Sequence, residues 1–347
     1  MINPSKSRDR VQPGDSLSLV MIVLLAVVAA GIPVILPGDF WIHVANEILL
    51  LGLFGMSFNL IYGYMGQISF GHAAYFGLGA YGTALSMRFF SVDGDIGYVG
   101  FFLSLLAAVP VAAIAAAVVG VLCVRLTGIY FAVLSMAFGE LLYFVVFSSY
   151  SVTGGDNGMQ GLLPPLALRD PRAYFYMSLA IVLAALVVMW LIVHSPFGYT
   201  LRAMRDNPRR TRFLGINMRL QMWINFVIAA AFAGMAGGLW GPLIRSISPS
   251  LLGWQHSGVG VIITLIGGAP FFAGPMLGAI IYTVLHAVVT SLTQYWPLTI
   301  GTVVLLIVLF SPDGVMGWLG ALRERFARRR KREAGADEAV VRPGEVN

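Results

Sequence analysis

Apolar runs long enough to cross a bilayer recur along the whole chain, and they constrain its fold more than any other feature. A hydrocarbon core about 30 Å thick takes roughly 20 helical residues at ~1.5 Å each. Runs of that order fall at 17–37, 47–64, 68–87, 100–124, 129–149, 174–193, 220–241, 257–271, 274–291 and 296–311. The two runs between 257 and 291 are short, and Gly267–Pro275 interrupts them. Composition agrees, since 58% of the 347 residues are hydrophobic and 11% are charged. That balance leaves too little charge for a water-facing surface. The expected fold is an all-α polytopic membrane protein of about ten transmembrane helices, with a membrane domain over 17–318.

Charge placement sets an orientation. Ten crossings from a cytoplasmic N-tail (1–16) put 18 of the 22 Lys and Arg on the inner side, in that tail, Arg125, the 195–219 loop and the basic C-tail (319–347). Only Arg88, Arg169, Arg172 and Arg245 fall outside, as the positive-inside rule requires. The seven tryptophans (41, 190, 223, 240, 254, 296, 318) read as an aromatic belt at span ends. The net charge of +6 therefore reflects topology, and no nucleic-acid partner is expected. The first run is too long for a cleaved signal and reads as a retained span. Cys123 stands alone, so no disulfide framework exists.

Internal echoes suggest two inverted repeats, about 47–149 and 220–311. Gly55-Met56-Ser57-Phe58-Asn59-Leu60 is echoed by Gly234-Met235-Ala236-Gly237-Gly238-Leu239, and Leu78-Gly79-Ala80 by Leu277-Gly278-Ala279. The glycine-rich stretch GQISFGHAAYFGLGAY (66–81) and GGAPFFAGPMLG (267–278) share a Gly/Pro interruption. Paired interruptions in two halves point to a central pathway. Gly66, Gly71, Gly77, Gly79 and Gly82 cannot share one helical stripe, so they imply dense packing plus an interrupted helix near Gly66–Gly71, with plain helix packing as the alternative.

Candidate pathway residues are Asn59, Ser69, Gly71, His72, Glu140, Gly267 and Gly268. His72 has the alternative of bonding a nearby carbonyl. Glu140, eleven residues into 129–149, costs roughly 2.5–3.5 kcal/mol to insert if ionised. It must face protein or water, or stay protonated, either as a pathway or gating group or in an interhelical hydrogen bond. His286 and Asn225 are weaker candidates. Outside, Thr153–Gly158 reads as a tight Asx-type turn, with too few clustered oxygens for calcium.

The 195–219 loop, SPFGYTLRAMRDNPRRTRFLGINMR, should form two short helices. Ser195-Pro196 and Asn207-Pro208 each supply an N-cap followed by Pro, and Gly215 supplies a stop. Arginines mixed with Met204, Phe213, Leu214 and Ile216 suit docking on a cytoplasmic partner, or else a plain positive anchor. The C-tail helix around 318–333 suits contact with membrane lipid. There is no GxxxxGK[ST], HExxH, paired CxxC or GxSxG motif. A catalytic site, a cofactor and a metal are therefore not expected, and ATP would have to be hydrolysed on another polypeptide.

Five segments in order, GQISFGHAAYFGLGAY, TGIYFAVLSMAFGEL (127–141), TGGDNGMQGL (153–162), SPFGYTLRAMRDNPRRTRFLGIN (195–217) and GGAPFFAGPMLGA (267–279), resemble the LivM-type permease subunit of branched-chain amino acid ABC transporters. The resemblance covers roughly 40–318. It implies an inner-membrane importer with a LivH-type homologous permease, two cytoplasmic ABC ATPases and a periplasmic solute-binding protein. It also implies that Arg202, Arg205, Asn207, Pro208, Arg209, Arg210, Phe213, Leu214 and Gly215 form the ATPase coupling loop. Phe70 and Glu140 depart from the family's usual residues. The family also serves urea, short amides and aromatic acids, so the solute stays open. A stand-alone secondary transporter or channel using Glu140 as a proton carrier shares the spans but gives the 195–219 loop no role. A membrane enzyme would need convergent polar groups, whereas the five histidines are scattered.

Overall fold

The computed structural model describes residues 31, 33, 38–91, 96–311 and 314–318. The expected N-tail and C-tail lie outside the described residues, as does the first span apart from Gly31 and Pro33. The chain is mostly helical: α1 (Asp39–Asn59), α2 (Ala73–Phe90), α3 (Tyr98–Cys123), α4 (Ile129–Ser148), α5 (Pro171–His194), α6 (Pro196–Asp206), α7 (Pro208–Phe213), α8 (Met218–Ile244), α9 (Trp254–Gly267), α10 (Gly274–Leu292) and α11 (Trp296–Phe310). Helix α1 continues through a π-helical turn, Leu60–Tyr64. Two short strands, β1 (Met159–Gln160) and β2 (Ser246–Ile247), pair antiparallel with Met159 opposite Ile247.

Among the described residues, six helices are long and apolar enough to cross a membrane: α1 with its π turn, α3, α4, α5, α8 and α10. The expected crossings at 257–271 and 296–311 are shorter than read. Helix α9 has 14 residues and α11 has 15, about 21 and 22 Å at ~1.5 Å per residue. Helix α2 starts only at Ala73, leaving the first residues of its apolar run non-helical.

Burial ranks the spans. The α1 window is 89% buried, whereas those of α3 and α4 are each 28% buried, so α1 is central and the other two form the rim. Helix α1 packs against α5, α8, α9 and α10, while α8 packs against α2 and α3 as well. The arrangement is reciprocal. Gly55 of α1 faces Ile263 of α9 and Pro275 of α10, and Gly234 of α8 faces Ala108 and Ala112 of α3 and Tyr75 of α2. Helix α1 thus meets α9 and α10, and α8 meets α2 and α3, at glycines that let the backbones approach.

The finer echoes need correction. Gly79 of α2 meets the Gly234 backbone of α8, whereas Gly278 of α10 meets Ile263 of the preceding helix α9. The 78–80 and 277–279 triplets therefore occupy different structural roles. The interruptions are also paired differently from the sequence reading. After α1, residues 65–72 run back as non-helical chain to the start of α2, and after α8, residues 245–253 run back to the start of α9. The 267–274 stretch instead forms the turn between α9 and α10.

Candidate functional site

Depth comes from α4. Glu140 lies eleven residues beyond Ile129, about 16 Å along the helix, near the middle of a span. Gly71 packs directly on the Ser135 carbonyl and Gly139 of the same helix, close enough that a Cβ would overlap backbone. The 65–72 segment thus carries irregular backbone to mid-depth, tolerable only because protein surrounds it. Ser257 supplies part of the missing bonding, its hydroxyl accepting the Ala73 N–H at 2.9 Å. That bond links the starts of α2 and α9.

His72 is fully buried here. Its Nε2 lies 2.9 Å from Ser57 Oγ rather than on a carbonyl, and its ring stacks on Phe54 at 5.6 Å. Phe54 also stacks on His256 at 5.5 Å, so one aromatic ring separates two imidazoles. Nδ1 of His72, Nε2 of His256, the Ser69 hydroxyl and both amide atoms of Asn59 are buried without partners among the described residues. Such groups are costly unless water or a ligand reaches them. Asn59, Ser69, Gly71 and His72 are enclosed by this chain's own helices.

Glu140 behaves otherwise. Its Oε1 accepts the Trp254 N–H at 3.0 Å, the interhelical bond that sequence left as one alternative. A carboxylate at the first residue of α9 also suits the helix dipole. Trp254 is therefore at mid-depth, not in an interfacial belt. Gly267 and Gly268 do not join this cluster. They pack against Gly274 and Gly314 beside the turn, where Ala269 approaches Gly63. Asn225 instead donates to the Leu60 carbonyl at 2.8 Å.

The 195–219 loop forms the two expected helices, α6 and α7. Asn207 caps α7, its Oδ1 accepting from Arg210 N at 3.1 Å. Ser195 does not cap α6 through its side chain, because its hydroxyl donates backward to Ile192 O at 2.7 Å. Gly215 takes φ 77°, as a left-handed stop requires.

The arginines divide into two sets. Arg202 donates to Val193 O at 2.9 Å and lies 4.5 Å over the Tyr199 ring. Arg205 donates to the Gly63 carbonyl in the π turn and packs on Gly66. These two brace the loop against the bundle. Arg209 and Arg210 are exposed, with Pro208 beside them. Phe213 and Leu214 are 91% and 76% exposed, an apolar tip with no contact that would explain it within the described chain.

Sequence reading missed Ser57, His256 and Ser257. The run Trp254-Gln255-His256-Ser257 was the available signal, four polar or amphipathic residues opening an apolar segment. It also missed a cleft of about 50 Å³ lined by His43, Asn46, Arg169, Tyr174 and Arg245.

Comparison with known proteins follows the same outline. Residues 40–311 match the family model described as the permease component of branched-chain amino acid transport systems. The chain is 24% identical over 302 residues to the high-affinity branched-chain amino acid transport permease LivM of Escherichia coli, covering 79% of this chain and 69% of that one. It is 24% identical over 282 residues to the corresponding permease BraD of Pseudomonas aeruginosa, covering 76% and 91%. A shorter match, 29% over 137 residues, reaches the permease LivH of Salmonella typhimurium, covering 39% and 44%. With a match across most of its length, this integral membrane chain belongs to the family of branched-chain amino acid transport permease components.

Proposed function

We propose that this chain is one of two membrane-spanning permeases of an ATP-driven importer, moving leucine, isoleucine, valine or a related small solute into the cytoplasm. The observation that carries the reading is the split of the arginine loop. Arg202 and Arg205 fasten it to the bundle, while Arg209, Arg210, Phe213 and Leu214 project outward. A basic rim around an exposed aromatic is the form of an interface anchor. It supports docking of a cytoplasmic ABC ATPase, with movement passed through Arg205 to the π turn of α1.

The remaining parts follow from that assembly. A LivH-type permease would complete the membrane unit, two ATPases would supply energy, and a periplasmic binding protein would deliver solute. The chain would sit in the inner membrane with both termini cytoplasmic. The reciprocal placing of Gly55 and Gly234 supports inverted halves that rock about their shared contact. Asn59, Ser69, Gly71 and His72 would be reached by solute or water only when the halves separate.

The test is ATP-dependent uptake by the reconstituted complex. Arg209→Ala with Phe213→Ala should leave membrane insertion intact while ATPase co-purification is lost. Retained co-purification would overturn the docking role. Uptake by this chain alone, following a proton gradient and indifferent to ATP, would overturn the importer reading.

A further inference from the structure

We infer that Gln67 is a positioning residue that makes the inner half of α4 follow the arginine loop. The inference rests on the permease reading and deepens it, carrying the connection beyond the π turn of α1.

The line of contacts starts in α6. Arg205 holds the Gly63 carbonyl, and its aliphatic stem packs on Gly66. Gly66 takes φ 75° as a left-handed stop, and its N–H donates to Tyr62 O at 3.1 Å. The Gln67 N–H in turn donates to Ile61 O at 3.1 Å. The backbone of Gln67 is thus fixed to the helix end that Arg205 grips. From there its side chain reaches α4, where Oε1 accepts the Gly128 N–H at 2.7 Å. Gly128 immediately precedes α4 and has φ 63° and ψ −134°, a conformation open to glycine.

Satisfying a donor does not explain this bond. Gly128 is exposed, and water can accept the N–H groups at a helix start. What a side chain 61 residues away adds is a fixed position. The rim helix needs one, because its span window is 28% buried and Ile129, Tyr130 and Val133 of its inner end are exposed. Phe131 also holds this half, edge-on to Phe226 of α8 at 5.9 Å, as does Gly71 against Ser135. Those are packing contacts, which resist approach more strongly than separation. The Gln67 bond is directional and resists separation. Among the described residues nothing approaches the Cβ position of Gly128 within 4 Å, so the start of α4 has room to be drawn. Gln67 and Gly71 lie on the same 65–72 segment. A shift of that segment therefore pulls α4 at Gly128 and pushes it at Ser135, about 10 Å deeper at ~1.5 Å per residue.

The test uses the full importer complex in inverted vesicles. Cys123→Ser removes the native thiol, and Thr127→Cys places one at the exposed residue beside Gly128. Labelling of this chain by an impermeant maleimide is timed with and without ATP. ATP should change the rate at least about fivefold. Adding Gln67→Ala should bring the two rates to within about twofold. Gln67→Glu, which keeps an acceptor oxygen for the Gly128 N–H, should restore the difference. A merely structural role would move both rates together and leave their ratio unchanged. An ATP effect that survives Gln67→Ala, no ATP effect with Gln67 in place, or no rescue by Gln67→Glu would each overturn the inference while leaving the permease reading intact. ATPase co-purification and ATP-driven uptake, measured on the unaltered complex, judge the permease reading itself.

Discussion

Arg205 of α6 donates to the Gly63 carbonyl in the π-helical end of α1. One charged side chain thereby joins the arginine loop to the most buried span. The same turn is held from α8 by Asn225, which donates to Leu60 O at 2.8 Å. Gly63 lies in the last turn of the helix, where carbonyls have no intrahelical partner, and Arg205 supplies one.

Arg205→Ala should therefore weaken transmission more than assembly. Losing a charged-group hydrogen bond costs about 1.5–3 kcal/mol, local to α6 and the π turn. The exposed tip at Phe213 is untouched. The ATPase should still co-purify, and ATP-driven uptake should fall roughly tenfold, a loss of ~1.4 kcal/mol in coupling. Uptake and ATP hydrolysis measured on one preparation separate the two effects. Hydrolysis and uptake falling equally would place Arg205 in docking instead.

Glycines of opposite sign test the packing of the two halves. Gly79 lies against the Gly234 backbone, while nothing approaches the Cβ position of Gly258 in α9 within 4 Å. Gly79→Ala should destabilise the detergent-solubilised chain by about 1–3 kcal/mol through overpacking. Gly258→Ala should be neutral or stabilise it by up to ~1 kcal/mol through helix propensity. Thermal unfolding of both variants checks the contrast. Equal shifts would mean that Gly79 carries no close contact.

Legibility in the sequence follows from the range of each interaction. The α6–α7 pair was readable because its signals are local: Asn207-Pro208, Gly215 and the run of arginines. The long spans were readable because hydrophobicity over twenty residues is additive. The mid-depth links were misplaced for a physical reason. Glycine, serine and phenylalanine in 65–72 have the composition of an ordinary membrane helix, and only contacts with Ser135, Gly139 and Ser257 hold the segment as irregular, non-helical chain. Glu140 showed the same limit, since its partner is a backbone N–H 114 residues away. The division of the arginines into Arg202 and Arg205 inward and Arg209 and Arg210 outward depends on how two helices sit on the bundle. Spacing alone does not encode it.

Ser57 and His72 form the clearest pair for a double-mutant cycle. Ser57→Ala leaves His72 buried with neither ring nitrogen bonded, at a cost of about 1–3 kcal/mol. His72→Phe removes the polar ring, leaving Ser57 its bond to Phe54 O at 2.6 Å. The double variant should thus be more stable than the sum of the single effects, with a coupling of roughly 1 kcal/mol or more. Unfolding midpoints of the four chains in one detergent give the coupling. Strict additivity would mean that the 2.9 Å contact contributes nothing.

Orientation can be tested with two surface positions. Phe213 is 91% exposed beside the arginine loop, and Leu166 is 78% exposed in the segment between α4 and α5. These positions lie on opposite sides of the bundle if α5, 24 residues and about 36 Å long, crosses it between them. Cys123 is buried, so the unaltered chain should label little with an impermeant maleimide. Phe213→Cys should then label only in inverted vesicles, and Leu166→Cys only in intact spheroplasts. A reversed pattern would put Arg209 and Arg210 on the outer face, against the basic-residue bias. It would also remove the ATPase from reach of the loop.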